Sequence, residues 1–526
     1  MKKIKYILIT ALLFSIGACT DGFEEINQNP NRITNESLKQ DFQIVGSKFR
    51  PVISNIFGSQ IHHNLSNESW AQHLQQPTVF TGNVNNTTYF IRWNPNWNRT
   101  YNNIMSPTGL IILQAEDADL PLFVEWAKLF RVIGISRLTA FHGPVIYSDF
   151  GESDASYDSE PDLYNALFAD LDAIQAYFNA NIDAPDLGEF DTTYGGDLSK
   201  WVKFINSLRL RLAMRISKVA PALAKSQGEK ALNDPGGVMV TNEDNFNVFL
   251  YGNVYHPVTI SFGWDDTRMG ATMESVLVGY KDPRIEKFFD PVEDMSLVPD
   301  HPDYPYKGIR SGASLDAKGD HTPYSKISSD FKTVIDRRLM GAAEVEFIKA
   351  EAVLRGWSSP ALTTAQEHYE NGVKRSFEEW GAGGVDAYLD NSTDLPIDYD
   401  DIVYNPGSRN DFVNRMGATV KWNDADSDEM KLEKIMTQKW IAARTNTMEA
   451  WVDHRRTGYP KLPYIYENNS SAEHGIIGPN EFLRRVVFTD GQKANNAAAV
   501  AAATATMSGP DEIGTRLWWD TGGPNF

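Results

Sequence analysis

Seven apolar residues recur at steps of three and four along one stretch: Leu198, Trp201, Ile205, Leu208, Leu212, Ile216 and Val219. An α-helix turns once in about 3.6 residues, so this spacing puts all seven on one face of a helix. The alternation of a β-strand would throw half of them into water. Arg209, Arg211 and Arg215 fall off the stripe, and Pro221 forbids continuation. A helix this long with a continuous apolar face must bury that face against other helices or a sheet.

The same period returns along the chain. Pro121 to Phe141 carries Trp126, Phe130 and Ile133, with proline at the first turn and Gly143-Pro144 after the end. Glu160 to Phe178 carries Leu163, Leu167, Leu171, Ile174 and Phe178. Gly341 to Gly356 and Leu362 to Trp380 read as a helix pair joined by a Ser-Ser-Pro turn. In its second helix Ala365, Tyr369, Gly372 and Val373 stand where a tetratricopeptide repeat places a small residue, an aromatic, a small residue and an aliphatic. Stacked pairs of this kind form a superhelical scaffold. The expected class is therefore all-α, with tetratricopeptide-like helix pairs, long irregular loops and room for a few short strands. Asn245 to Tyr255, aromatic and β-branched, is the candidate strand. The loops span residues 62–107, 181–197, 233–338 and 383–426. Loops of this length are usually functional or carry small elements of their own.

The N-terminus reads as an address. Lys2, Lys3 and Lys5 precede an apolar run from Ile7 to Ala18, too short to span a bilayer, which needs roughly 20 residues. Ile16-Gly17-Ala18-Cys19 resembles the bacterial lipoprotein cleavage box, which implies acylation at Cys19 after removal of residues 1–18. Cys19 is the only cysteine of the 526 residues, so the exported chain uses no internal disulfide. An acidic stretch, Asp21 to Glu25, resembles the surface-export signal of some Gram-negative lipoproteins and reads equally well as a solvated tether. Residues 19–35 form that tether, and 36–526 the folded body. The formal charge of −20 argues against a nucleic-acid partner, since phosphate binding wants a basic surface.

Short motifs appear in a fixed order over the whole length. They include Asn29-Pro30-Asn31, Trp97-x3-Tyr101-x2-Ile104, Phe141-His142-Gly143-Pro144-Val145 and Trp201-x-Lys203-Phe204-x-Asn206-Ser207-Leu208-Arg209. Asp282-Pro283-Arg284, Ala350-Glu351-Ala352, Glu449-Ala450-Trp451-x-Asp453-x-Arg455-Arg456 and Arg516-Leu517-Trp518-Trp519-Asp520 follow. In this order they resemble the SusD/RagB family of outer-membrane nutrient-binding lipoproteins. The resemblance implies a helical body on four tetratricopeptide-like pairs, anchored by lipid to the outer membrane and facing outward. It also implies a TonB-dependent barrel as partner, for which the protein is the lid, and a glycan or sometimes a peptide as ligand.

Most of these motif residues read as structure. Trp126 and Trp201 lie on apolar helix faces, Trp97 and Tyr101 are a turn apart, and Glu449 to Arg456 reads as a partly buried ion pair over Trp451. A sugar site needs something else: exposed rings for the C–H faces of pyranoses, with planar polar groups at their edges. One stacked face of ~80 Å² contributes about 2 kcal/mol, whereas micromolar binding needs about 8 kcal/mol, so several loops must converge. The candidates are Trp70, Trp93, Asn94 and Asn96 in the first long loop, and Trp264, Asp265 and Arg268 in the third. No catalytic residue is assigned: there is no Gly-x-Ser-x-Gly elbow, His-Glu-x-x-His helix or Gly-x4-Gly-Lys loop. A surface glycoside hydrolase stays the least supported alternative. No metal or cofactor is expected. Asp424-x-Asp426-x-Asp428 lacks the glycine and the terminal acid of a calcium loop, and His62-His63 reads as surface or core.

Overall fold

The computed structural model describes residues 42–526 except 95–96, 250–255, 334–336, 405–406 and 408. Cys19, the tether and Asn96 lie outside the described residues. Twelve helices of eight or more residues form the described body: α1 Phe49–Ile56, α2 Ser106–Asp117, α3 Pro121–His142, α4 Glu160–Ala180, α5 Leu198–Arg215 and α6 Pro221–Asn233, then α7 Ala271–Gly279, α8 Ala342–Leu354, α9 Ala365–Trp380, α10 Asp428–Ala442, α11 Met448–Thr457 and α12 Ala497–Ala505. Successive helices pack as neighbours in four pairs, α2/α3, α4/α5, α8/α9 and α10/α11, with α6 folded back on α5.

The ends of these helices follow from local chemistry. Asp197 accepts from Ser199 and Lys200 N–H groups at the start of α5, and Ser159 and Ser427 do the same for α4 and α10. Thr364 and Glu367 make a capping box on α9. The α5 stripe ends at Arg215, earlier than its apolar spacing predicts, because Pro221 starts a new helix five residues after Ile216.

The pairs close on small residues. A Cβ on Gly372 would lie 2.7 Å from the Phe347 ring, so only glycine lets α9 reach α8. Gly228 of α6 meets Trp357 in the same way. Trp126 and Trp201 are fully buried, with ring centroids 5.8 Å apart, as the stripes require. One continuous apolar core runs through all four pairs. A satellite cluster of Ile309, Ala313 and Tyr324 sits under the loops.

Charge is buried too, much of it in ion pairs. Arg456 grips Glu351 with two bonds of 2.6 and 2.7 Å, joining α11 to α8. Arg215 grips Glu449 at 2.8 and 2.9 Å, joining α5 to α11. Arg455 lies 3.4 Å from the centre of the Trp451 ring, and its guanidinium donates to the Ala140 and Arg484 carbonyls. The Glu449–Arg456 motif is thus scaffold, as the sequence reads.

Strand is confined to two antiparallel two-stranded ladders among the described residues. β1 Leu74–Gln75 pairs with β3 Arg268–Met269, and β2 Phe246–Asn247 with β4 Arg338–Met340. β2 falls where the candidate strand was expected. No helix among the described residues is long and apolar enough to cross a membrane.

Candidate functional site: a face of knitted loops

The scaffold leaves its long loops to meet one another on one face. Asn410 fastens two of them: its carbonyl oxygen accepts from Ser314 N–H at 2.8 Å, and its amide donates to the Ser314 carbonyl at 3.1 Å. Arg310 donates to the Tyr464 carbonyl at 2.7 Å and to the Asp411 carbonyl. Glu467 N–H donates to the Gly312 carbonyl at 2.7 Å. Gly312 has φ +61°, and a Cβ there would strike Ile465, so the approach needs glycine. Asn83 closes the circuit, donating to the Ala313 carbonyl at 3.1 Å and to Glu467 Oε2 at 2.7 Å.

A buried polar cluster lies beneath. Asp401 accepts from Tyr324 Oη at 2.5 Å and Asn410 Nδ2 at 2.7 Å, and pairs with His321 Nε2 at 2.9 Å. Burial opposes ionisation of Asp401, but the His321, Tyr324 and Asn410 hydrogen bonds outweigh it and hold the carboxyl below its ordinary range. These loops are therefore ordered by hydrogen bonds together with the small satellite apolar cluster.

Trp264 stands at one end of the face. It closes the short helix Ile260–Trp264, and Asp265 then turns into the left-handed region at φ 48°. That turn leaves the indole 65% exposed. Lys318 Nζ holds the Trp264 carbonyl at 2.9 Å. Asp265 is half-buried, with Oδ1 accepting from Arg268 at 2.9 Å and pairing with Lys326 at 3.2 Å. Arg268 does not face solvent. It is 1% exposed and spends its donors on Asp265 and on the Thr267 and Thr322 carbonyls. Its place as a ligand contact is corrected: it positions the turn that presents Trp264.

Trp70 is corrected as well. Its ring lies 4.7 Å from Trp451, its indole N–H donates to the Asn86 carbonyl at 2.9 Å, and it is 5% exposed, so no face is free for a sugar. A π-helical turn at His63–Asn67 rotates the segment inward, and His62 and His63 are buried with it. Trp93 is half-buried. Phe80 meets its ring edge at 5.3 Å and the Arg92 guanidinium lies 5.5 Å from it. The Asn86 side chain bonds both its backbone N–H and its carbonyl. Asn94 is exposed.

Two rings escaped the sequence reading. Tyr404 has the Arg409 guanidinium 3.5 Å from its ring centre, and Arg409 pairs with Asp316. Tyr466, 45% exposed, has Arg310 at 5.5 Å. For Tyr404 the available signal was an aromatic inside a turn-rich stretch with an arginine a few residues off, Tyr404-Asn405-Pro406-Gly407-Ser408-Arg409; the arginine against Tyr466 comes from a distant loop and left no such signal. Trp93, Tyr404 and Tyr466 thus share one construction: a guanidinium lies against each ring, which fixes its orientation. Such a face offers stacking surfaces and amide edges. Among the described residues no group of three histidine, aspartate or glutamate side chains is arranged to hold a metal.

Comparison with known proteins agrees with this architecture. A family model described as SusD-like, the SusD and RagB outer membrane lipoproteins, matches residues 25–520. Among solved structures, a chitin-binding SusD homologue from Flavobacterium johnsoniae is 39% identical at a TM-score of 0.84, covering 92% of this chain and 100% of that one. A SusD homologue from Bacteroides vulgatus ATCC 8482 is 33% identical at 0.83, covering 92% and 99%. A SusD-like protein from Bacteroides thetaiotaomicron VPI-5482 is 31% identical at 0.80, covering 91% and 99%. No curated protein matches the chain. The fold and the end-to-end match together place this chain in the SusD/RagB family of outer-membrane lipoproteins.

Proposed function

We propose that the chain is the cell-surface capture component of a glycan importer. It is a binding protein rather than an enzyme. Its lipid anchor is Cys19, and its partner is a TonB-dependent outer-membrane barrel that takes the ligand onward. The ligand class is an oligosaccharide, with N-acetylglucosamine oligomers the first to try, because the relative from Flavobacterium johnsoniae is described as chitin-binding.

The observation that carries this reading is Trp264: an indole 65% exposed on a turn that ion pairs hold still. A large ring kept in water at such cost fits a ligand that brings an apolar face and its own hydroxyls. Tyr404, Tyr466, Trp93 and Asn94 supply further stacking and amide groups from other loops. Calorimetry with N-acetylglucosamine oligomers tests it. We expect saturable binding, weakened about tenfold or more in Trp264→Ala, as loss of one stacked face of about 2 kcal/mol implies. Tyr404→Ala weakens it by a smaller factor. Equal binding by Trp264→Ala overturns the site, and no binding by any oligosaccharide overturns the ligand class. Mass identification of the chains that leave native membranes with the acylated protein tests the rest. A stoichiometric TonB-dependent barrel is expected, and recovery of the protein alone counts against it.

A further inference from the structure

A second concavity of about 810 Å³ opens between residues 297–304 and 393–402. Asp401, which bonds Asn410 on the loop face, is also among its lining residues. Its walls are fixed. A Cβ on Gly279 would lie 2.4 Å from the Leu395 carbonyl, and Ile397 N–H donates to the Ser275 carbonyl at 2.9 Å, so one wall lies directly on α7. On the other wall, Leu297 packs on the satellite cluster, and His301 bonds the Tyr304 carbonyl at 2.8 Å and Glu274 at 3.2 Å. The floor is electrically balanced: Glu274 accepts from Lys307 Nζ at 2.9 Å and Gly308 N–H at 2.7 Å.

The rim is not balanced. Asp300, Asp303, Asp398 and Asp400 are exposed around it, and among the described residues none of the four makes an ion pair. The one lysine on the rim, Lys281, pairs with Asp394 instead. Between these carboxylates the lining is aliphatic, with Leu395 41% and Ile402 37% exposed.

We propose that this cleft docks an extended segment of a second protein that carries interleaved aliphatic and lysine or arginine side chains. The chemistry selects that occupant. A sugar would need open rings and planar donors, but the lining holds no arginine, asparagine or tryptophan and only the half-buried Tyr304. An anion would meet four uncompensated carboxylates. A basic, aliphatic segment satisfies the walls by burial and the rim by charge, with pockets taking alternate side chains. The proposal goes beyond the glycan reading and stands without it, because no residue of the cleft belongs to the sugar-facing rings.

The test is fluorescence anisotropy with a labelled octapeptide of alternating leucine and lysine on the purified protein. Matched leucine–glutamate and serine–lysine peptides are the controls. Saturable binding of the first alone is expected, weakening about tenfold when salt screens the rim. The variant D300N/D303N/D398N/D400N, all four on the surface, keeps the parent melting temperature and oligosaccharide binding but loses about tenfold in peptide affinity. Leu395→Lys, which leaves the carboxylates in place, loses it too. Absence of saturable binding, equal binding by the quadruple variant, or displacement of the peptide by N-acetylglucosamine oligomers each overturns the proposal.

Discussion

Glu351 and Glu68 show how single buried carboxyls set the pH response. Burial alone would raise Glu351, but Arg456 and Arg355 overcome it and hold the carboxyl down at about 2. A carboxyl depressed in the fold contributes stability above its ordinary value of 4.5, and that contribution is lost as pH falls through 2. Glu351→Gln therefore lowers stability by about 3–5 kcal/mol at neutral pH, since it leaves Arg456 buried with half its partner, and it flattens the acid limb. Thermal melts from pH 7 to pH 3 check both. Glu68 runs the other way. Burial raises it to about 7 against the pull of Arg444 and Thr447, so its contribution is complete below 4.5 and fades as pH rises through 7. Glu68→Gln is expected to lose less melting temperature between pH 5 and pH 8 than the parent chain does. Residues of this kind are legible where an acid and an arginine share a helical turn, as Asp453 and Arg456 do at 3.1 Å, whereas Glu449 takes Arg215 from a distant helix. They are illegible where partners come from distant elements, as with Trp70 against Trp451 or Arg268 against Thr322. Spacing along the chain carries no information about either contact.

The helices were the most legible elements, because each writes its own period, cap and stop. The pair α8/α9 was readable down to the glycine at its crossing. Gly372→Leu pushes a side chain into Phe347 and costs about 1–3 kcal/mol by overpacking. A second change, Phe347→Ala, restores part of the loss, and melting temperatures of the two single variants and the double variant measure the coupling. Thr364→Ala removes the cap of α9 and costs about 1 kcal/mol. The ladders were harder to place. β1 and β3 have two residues each, too few for an alternating pattern to show, and their pairing joins positions nearly two hundred residues apart. The loops were harder still. Their rings could be picked out, but whether a ring faces water depends on which distant loop covers it, so Trp264 is exposed, Trp70 is covered, and Tyr404 and Tyr466 were passed over.

At the scale of the whole molecule, family, class and membrane address were readable from the order of short motifs. That order reports the scaffold and says little about the ligand, because the exposed rings of the loop face sit outside the repeated motifs. The helix pairs close by apolar contact between neighbours in sequence, whereas the loops of the face are tied by hydrogen bonds across great separations: Asn83 reaches Glu467 over 384 positions. The two halves thus differ in the order in which they can form. Local helix pairs close short loops and assemble early, but each bond of the face must wait for a large loop closure. The face is expected to be completed last and to open first. In native-state hydrogen exchange, amides of residues 310–316 and 464–469 should exchange well before those of α5 and α8, and a bound oligosaccharide should slow the former alone. Equal protection of both sets would contradict this. Ligand capture then has a kinetic meaning beyond affinity: a sugar that bridges these loops supplies the cross-links that the chain itself makes only at the end of folding.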